Sequence, residues 1–242
     1  MMHEVVTSGI LAIESSQKAI SVAVRDQFGV IVQRIAPGDH REKDLLLPAI
    51  ISLCADAAIT RQDLRAVAVS TGPGGFTGLR VAIATSKGIC EALSIPAIDV
   101  PSALVAAMGA RSSWWPRDRE AIVALASKGE ESWITHVCAD ELGNLSVRCA
   151  SSMTASEFEP REDCVLLADE YLPVALLNGA IEAKMTILPP VFRASDLLVV
   201  AEHRFASGDV TDAVALAVRY PREPEAVTLW RRRYPDGFSP KN

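Results

Sequence analysis

Short apolar runs separated by polar turns open the chain. Ser8 to Ile13 reads as a strand and Ser21 to Arg25 alternates as a second, with the polar turn Glu14-Ser15-Ser16-Gln17-Lys18 between them. Val30 to Ile35 supplies a third strand after the turn at Gln27-Phe28-Gly29, so the first elements form an antiparallel meander. Leu46, Ile50, Leu53 and Ala57 recur at helical spacing and predict a helix within Arg41 to Ala58. Pro48 fits that helix only if its first turn begins near Leu46 or the helix bends there. Arg65 to Ser70 reads as a buried strand, Thr71-Gly72-Pro73-Gly74-Gly75 as a turn, and Phe76 to Leu93 as a helix. Ala97 to Val100 is a further strand, and Pro101 to Gly109 a short helix begun by Pro and ended by Gly.

The polar stretch Arg111 to Arg119, with Pro116, breaks this pattern and predicts a boundary between lobes. Beyond it the same pattern recurs. Ala121 to Ala126, Ser132 to Ala139 and Leu145 to Ala150 read as three strands, Val165 to Ala168 as a fourth, Leu172 to Leu177 as a helix and Ser195 to Ser207 as another. The expectation is an α/β chain of two lobes, each a mixed sheet opened by an antiparallel meander and covered by helices. Its parts are residues 1–110, residues 111–208, and a C-terminal segment over 209–242.

Composition changes this picture little. Aromatic residues make up 5% of the chain and hydrophobic residues 49%, so the cores must be built from Ala, Val, Ile and Leu. The formal net charge is -6, which argues against a protein that grips a nucleic-acid backbone along a broad basic face. Arg231, Arg232 and Arg233 form the one basic run, for which a solvated tail is the default. Met1 to Gly9 has no basic flank leading into an apolar stretch, and the apolar run Leu45 to Ile51 is far short of the ~20 residues needed to span a membrane. The five cysteines (Cys54, Cys90, Cys138, Cys149 and Cys164) form no CxxC pair and sit among apolar neighbours, which predicts buried free thiols and a cytoplasmic location.

Candidate chemistry is sparse. Thr71 to Arg80 lies between strand and helix, where backbone N–H groups can face an anion. A Walker loop needs a Gly-Lys-Ser/Thr that does not follow. A dinucleotide fingerprint matches at Gly72 and Gly74, but Thr77 stands where the third glycine belongs; Asp99 is the candidate ribose partner. His3, His40, His136 and His203 are scattered and make no metal-binding pair. Glu130-Glu131 reads as a solvated turn, and Trp114-Trp115 beside Arg117 and Arg119 as packing at the lobe hinge. The helix Phe76 to Leu93 is more informative. Arg80, Lys87 and Glu91 share one narrow side, while Gly78, Ala82, Thr85, Ile89 and Ala92 line a second and Leu79, Ile83 and Cys90 a third. A helix that only covers a sheet is polar over about half its circumference. This one is either sandwiched within its own fold or buried against another chain.

Several segments together resemble TsaB, the accessory subunit of the bacterial tRNA threonylcarbamoyladenosine machinery. The family's opening L-A-[LI]-D-T-S-T is similar to Leu11 through Gln17, and its H-S-x-x-L-L-P-x-I helix to His40 through Ile50. Its G-P-G-S-F-T-G-[LV]-R is similar to Gly72 through Arg80, with Gly75 in place of Ser. Its second-lobe D-A-R-x-x-E-[VI]-Y resembles Ala126 to Trp133.

The resemblance implies a two-lobed actin-like fold whose own nucleotide and metal residues have decayed, with no catalytic, cofactor or metal residues to assign. It implies a non-catalytic subunit needed for threonylcarbamoylation of the adenosine next to the anticodon. That subunit binds a TsaD-type catalytic paralogue and, through the complex, a TsaE-type ATPase. It meets tRNA only indirectly, and pairs with a second copy when alone. The interface it implies is Phe76, Gly78, Leu79, Ala82, Ile83, Thr85, Ile89 and Ala92, shaped by the loop residues Gly72, Pro73, Gly74, Gly75, Thr77 and Arg80. Two competing readings each lack a needed part. A catalytic TsaD-like transferase or metalloprotease-like relative needs an HxxxH pair, which is absent. An actin-like ATPase needs carboxylates at both lobe turns, where this chain has Glu14 in the first but Ala126 and Ser127 in the second.

Overall fold

Two five-stranded sheets of the same topology organise the computed structural model, which describes residues 9–36, 45–114, 120–221 and 225–234. In the first sheet β1 (Ile10–Glu14), β2 (Ile20–Arg25) and β3 (Ile31–Ala36) form the antiparallel meander. The helix α1 (Leu46–Asp56) leads to β4 (Ala66–Ser70), which pairs parallel to β1. The helix α2 (Phe76–Leu93) then leads to β5 (Ala97–Val100), parallel to β4. After α3 (Ser102–Trp114), the strands β6 (Ala121–Lys128), β7 (Glu131–Ala139) and β8 (Leu145–Met153) repeat the meander. β9 (Val165–Ala168) pairs parallel to β6, and α4 (Val174–Glu182) and β10 (Thr186–Leu188) complete the second sheet. The helices α5 (Ala194–Ala206) and α6 (Glu225–Arg233) follow. A meander extended by two parallel strands, made twice, is the duplicated architecture of the actin-like fold.

Strand alternation divides the interior into three cores. In β1, Ile10 and Ala12 face the centre of the molecule while Leu11 and Ile13 face α1 and α2; in β4, Ala66 and Ala68 face inward while Val67 and Val69 face out. The central core lies between the sheets and is filled by α3 and α5. Alanines dominate there (Ala103, Ala106, Ala107, Ala110, Ala194, Ala201), so two helices fit between two sheets without large aromatic side chains. Under α4 the outer face of the second sheet buries Ile122, Ile134, Phe158 and Leu166.

Chain order and packing diverge at the helices. α5 falls after the expected boundary at 111 but lies on the first sheet, where Arg25 Nε and Nη2 donate to the Glu202 carboxylate at 2.7 and 2.6 Å. Residues 209–221 return to the first lobe as well: Thr211 pairs with Ala97, and Leu216 is buried beside α2. The boundary residues 115–119 and the start of the expected helix at Arg41 lie outside the described residues.

Other differences have local causes. Pro48 sits in the first turn of α1, where its missing N–H is not needed. α3 does not end at Gly109; a Cβ there would meet the Val191 carbonyl oxygen at 2.7 Å, so the glycine serves close approach rather than termination. All five cysteines are unpaired, but Cys149 is exposed on the edge strand β8, against the expectation that every thiol is buried. No helix among the described residues is long and apolar enough to cross a membrane.

Candidate partner-binding face

The glycine-rich loop Thr71 to Gly75 and the start of α2 are pressed onto the β1–β2 turn. Cβ atoms built at Gly74 and Gly78 would each overlap a carbonyl oxygen, of Ser16 and Ser15 respectively, so side chains are excluded at both positions. The Gly75 N–H donates to the Ser16 oxygen at 2.7 Å. A donor that sequence reasoning offers to an anion is therefore used within the chain. Asp99 is engaged too: it accepts from the Thr71 hydroxyl at 2.5 Å and from Arg219 Nε and Nη2 at 3.2 and 2.5 Å. Beside it, Arg80 stacks 3.6 Å over the Phe76 ring and donates from Nε to the Tyr220 hydroxyl at 2.8 Å. The segment ending at Pro221 is thus fastened to the N-terminal end of α2.

Down its length α2 is two-faced. Leu79, Ala82, Ile83, Ser86 and Cys90 are buried against the first lobe. This corrects the expectation that Leu79, Ala82 and Ile83 contact a partner; they are core residues. Phe76, Thr77, Arg80 and Ala92 are exposed, Gly78, Thr85 and Ile89 half-buried, and Val81, Ala84 and Gly88 extend the open side. Sequence reasoning missed the second wall of this face, which is α1. Leu47 and Ile51 there are 46% and 69% exposed. Between the helices runs an open groove of about 750 Å³, lined by Leu47, Ile51, Ala55, Gly88, Ile89 and Ala92 among others. The outward positions of α1 carried a legible signal, since Leu47, Ile51 and Ala55 recur at i, i+4 and i+8 opposite the core stripe.

Gly88 is the most telling residue of the groove. A Cβ built there meets nothing within 4 Å, so no contact among the described residues calls for glycine in mid-helix. Glycine at such a position costs about 1 kcal/mol relative to alanine.

Two polar clusters lie away from this face. Glu14 is 1% exposed; Oε1 accepts from the Ser16 N–H and hydroxyl at 2.7 and 2.5 Å, while Oε2 and the Ser15 hydroxyl have no hydrogen-bond partner among the described residues. Burial raises the Glu14 pKa, against the lowering effect of its Ser16 hydrogen bonds. In the second lobe the corresponding residues lie in β6 and not in a turn: Ala126 has a positive φ of 52° where the β6–β7 register shifts, and the Ser127 hydroxyl donates to Ser132 at 3.0 Å. A second cluster, unforeseen from the sequence, surrounds Glu120, where His136 Nδ1 lies at 3.0 Å, Arg148 Nη1 at 3.1 Å and Arg161 Nη2 closer still. Its members come from separate strands and a loop, so no local motif announces it. No group of three or more His, Cys, Asp or Glu side chains among the described residues is placed to hold a metal ion. The side chains of Trp114 and Trp115 lie outside the described residues.

The fold and this face define a two-lobed actin-like protein with an open helix groove on its first lobe. The family model described as TsaD, tRNA N6-adenosine threonylcarbamoyltransferase, matches residues 13–140, more than half of the chain, and the chain belongs to that family. Its relatives include TsaB proteins. It is 29% identical to the tRNA threonylcarbamoyladenosine biosynthesis protein TsaB of Escherichia coli over 127 residues, which covers 51% of this chain and 53% of that protein. It is 36% identical to an uncharacterized protein of Mycobacterium tuberculosis over 103 residues, 42% of this chain and 49% of the relative. The chain spans about half the length of the curated relatives it matches. Among solved structures, YeaZ from Pseudomonas aeruginosa superposes with a TM-score of 0.72 at 20% identity, covering 87% of this chain and 99% of that one.

Proposed function

We propose that this chain is the non-catalytic partner subunit in threonylcarbamoylation of the adenosine next to the anticodon, and that it binds a TsaD-type catalytic subunit through the α1–α2 groove. The observation that carries the reading is the groove itself, apolar along both walls and lined on α2 by Gly88, a glycine that no contact among the described residues requires. Small residues on an exposed helix let a second helix approach to about 8–10 Å between axes, where apolar surface is buried at about 25 cal/mol per Å². A TsaE-type ATPase joins through that complex, and without its partner the same groove pairs two copies of the chain. The sealed Glu14 and the lack of a carboxylate at Ala126 and Ser127 support an accessory rather than a nucleotide-hydrolysing role.

The test is reconstitution. Unmodified tRNA is incubated with TsaD, TsaE and the threonylcarbamoyl-AMP synthase, with and without this chain, and its nucleosides are weighed by mass spectrometry. Modification should require the chain, and the chain alone should produce none. Transfer by the isolated chain, or full modification in its absence, overturns the reading.

A further inference from the structure

We propose that α6 is a direct RNA-binding element, in which an unpaired base stacks on Trp230 and Tyr234 while neighbouring phosphates sit on Arg231 and Arg233. The two rings lie i, i+4 on one side of the C-terminal end of α6, where the Tyr234 N–H, one residue past the helix, donates to the Trp230 oxygen at 2.9 Å, with ring centroids 4.5 Å apart. Trp230 is 50% exposed, although it is the side chain with most to gain from burial. At 100° per residue Arg231 and Arg233 flank that aromatic face, and the Arg233 guanidinium lies 5.9 Å from the Tyr234 ring. Aromatic platforms set among cations are how proteins hold single-stranded nucleic acid, because every base offers a π face and every phosphate a charge. The rest of the molecule works the other way: the whole chain carries a net charge of -6, so three consecutive arginines concentrate attraction for a polyanion at this one helix.

A membrane surface fits less well. Binding there scales with the apolar area a helix can bury, and this helix has nine residues, three of them arginines. The chain touches RNA itself, where the family resemblance implies only indirect contact. The inference rests on α6 alone and stands apart from the partner reading.

The experiment is fluorescence anisotropy of a labelled RNA hairpin with a single-stranded loop, titrated with the full-length protein across a range of salt. Replacing Arg231 and Arg233 together by alanine should weaken binding about ten-fold or more and reduce the slope of log affinity against log salt by about 1.4, at roughly 0.7 per phosphate. Trp230→Ala should weaken binding about five-fold or more and leave that slope unchanged. Circular dichroism checks that both variants fold. Absence of binding by the native chain, or unchanged affinity in either variant, overturns the assignment. So does binding to phosphatidylglycerol vesicles that both variants lose while hairpin binding stays as in the native chain.

Discussion

Arg219 fastens the C-terminal segment to the first lobe by donating twice to one oxygen of Asp99, whose other oxygen is held by Thr71. The Arg219 N–H also donates to the Thr71 oxygen at 2.7 Å. Arg219→Ala removes two charge-assisted bonds at a half-exposed site and should cost about 1 kcal/mol. Asp99→Ala should cost more, about 1–3 kcal/mol, because besides freeing the guanidinium it takes the nearer acceptor from the buried Thr71 hydroxyl and leaves it only the Val100 oxygen at 3.3 Å. Urea unfolding gives the two values. Hydrogen exchange should quicken at Thr211 and Leu216 in both variants; equal costs, or exchange as slow as in the native chain, contradict this account of the pair.

The strands that position the candidate face were legible because their signals are local. Arg65 to Ser70, Phe76 to Leu93 and Ala97 to Val100 announce themselves by apolar runs and bounding glycines or prolines, and the structure matches them within a residue. The short strand β10 was not, since three residues carry too little pattern to separate from a loop. Nor was the return of α5 to the first sheet, which depends on long-range partners such as Glu202 and Arg25. For the face itself, period alone could not tell which side of α2 looks inward. Small residues occupy both sides: Ala82 is fully buried while Gly88 and Ala92 stand open, and only the tertiary fold separates them. Ala82→Arg is consequently a test of folding, and Gly88 is the position that tests docking.

Gly88→Ala should stabilise the isolated chain by about 0.5–1 kcal/mol, because a methyl group enters open space and the unfolded chain loses freedom. Gly88→Trp should leave the thermal midpoint of the isolated chain close to that of the native protein while abolishing co-elution with a TsaD-type subunit. Loss of stability in Gly88→Ala would show an unseen constraint inside the fold. Co-elution kept by the tryptophan variant would move the interface elsewhere.

Glu120 neutralises a cationic cluster at the foot of the second sheet. Its side chain is 7% exposed and takes Arg148 and Arg161 on Oε2 and His136 on Oε1. Removing a buried carboxylate leaves like charges facing one another and is more damaging than the net worth of any one pair. Glu120→Ala should destabilise the protein by about 3 kcal/mol, near the lower end for breaking a buried pair because both arginines are partly solvated. Arg148→Ala should cost under about 1 kcal/mol. Chemical denaturation of the two variants checks the ranking, and comparable losses would show that the cluster is not organised around Glu120.

Glu14 should make stability depend on pH in the direction opposite to most carboxylates. Burial raises its folded-state pKa above the ordinary value of 4.5, so the folded chain holds a proton there that the unfolded chain releases. The stabilisation is fully present below about pH 4.5 and is lost as pH rises through the raised folded-state value. Asp63, Asp140 and Glu157 are shifted downward by hydrogen bonds and act with the other sign, losing stability as pH falls, so a single stability curve mixes both effects. The difference between Glu14→Gln and the native chain isolates Glu14. The substituted amide keeps an acceptor for Ser16 and cannot ionise, and its extra buried hydrogens add an offset that does not vary with pH. The variant's stability relative to the native chain should therefore climb from acid to neutral pH, by about 1.4 kcal/mol for each unit by which the fold raises the pKa. Urea unfolding at a series of pH values measures the difference, and a flat profile would mean that Glu14 carries no extra proton in the folded protein.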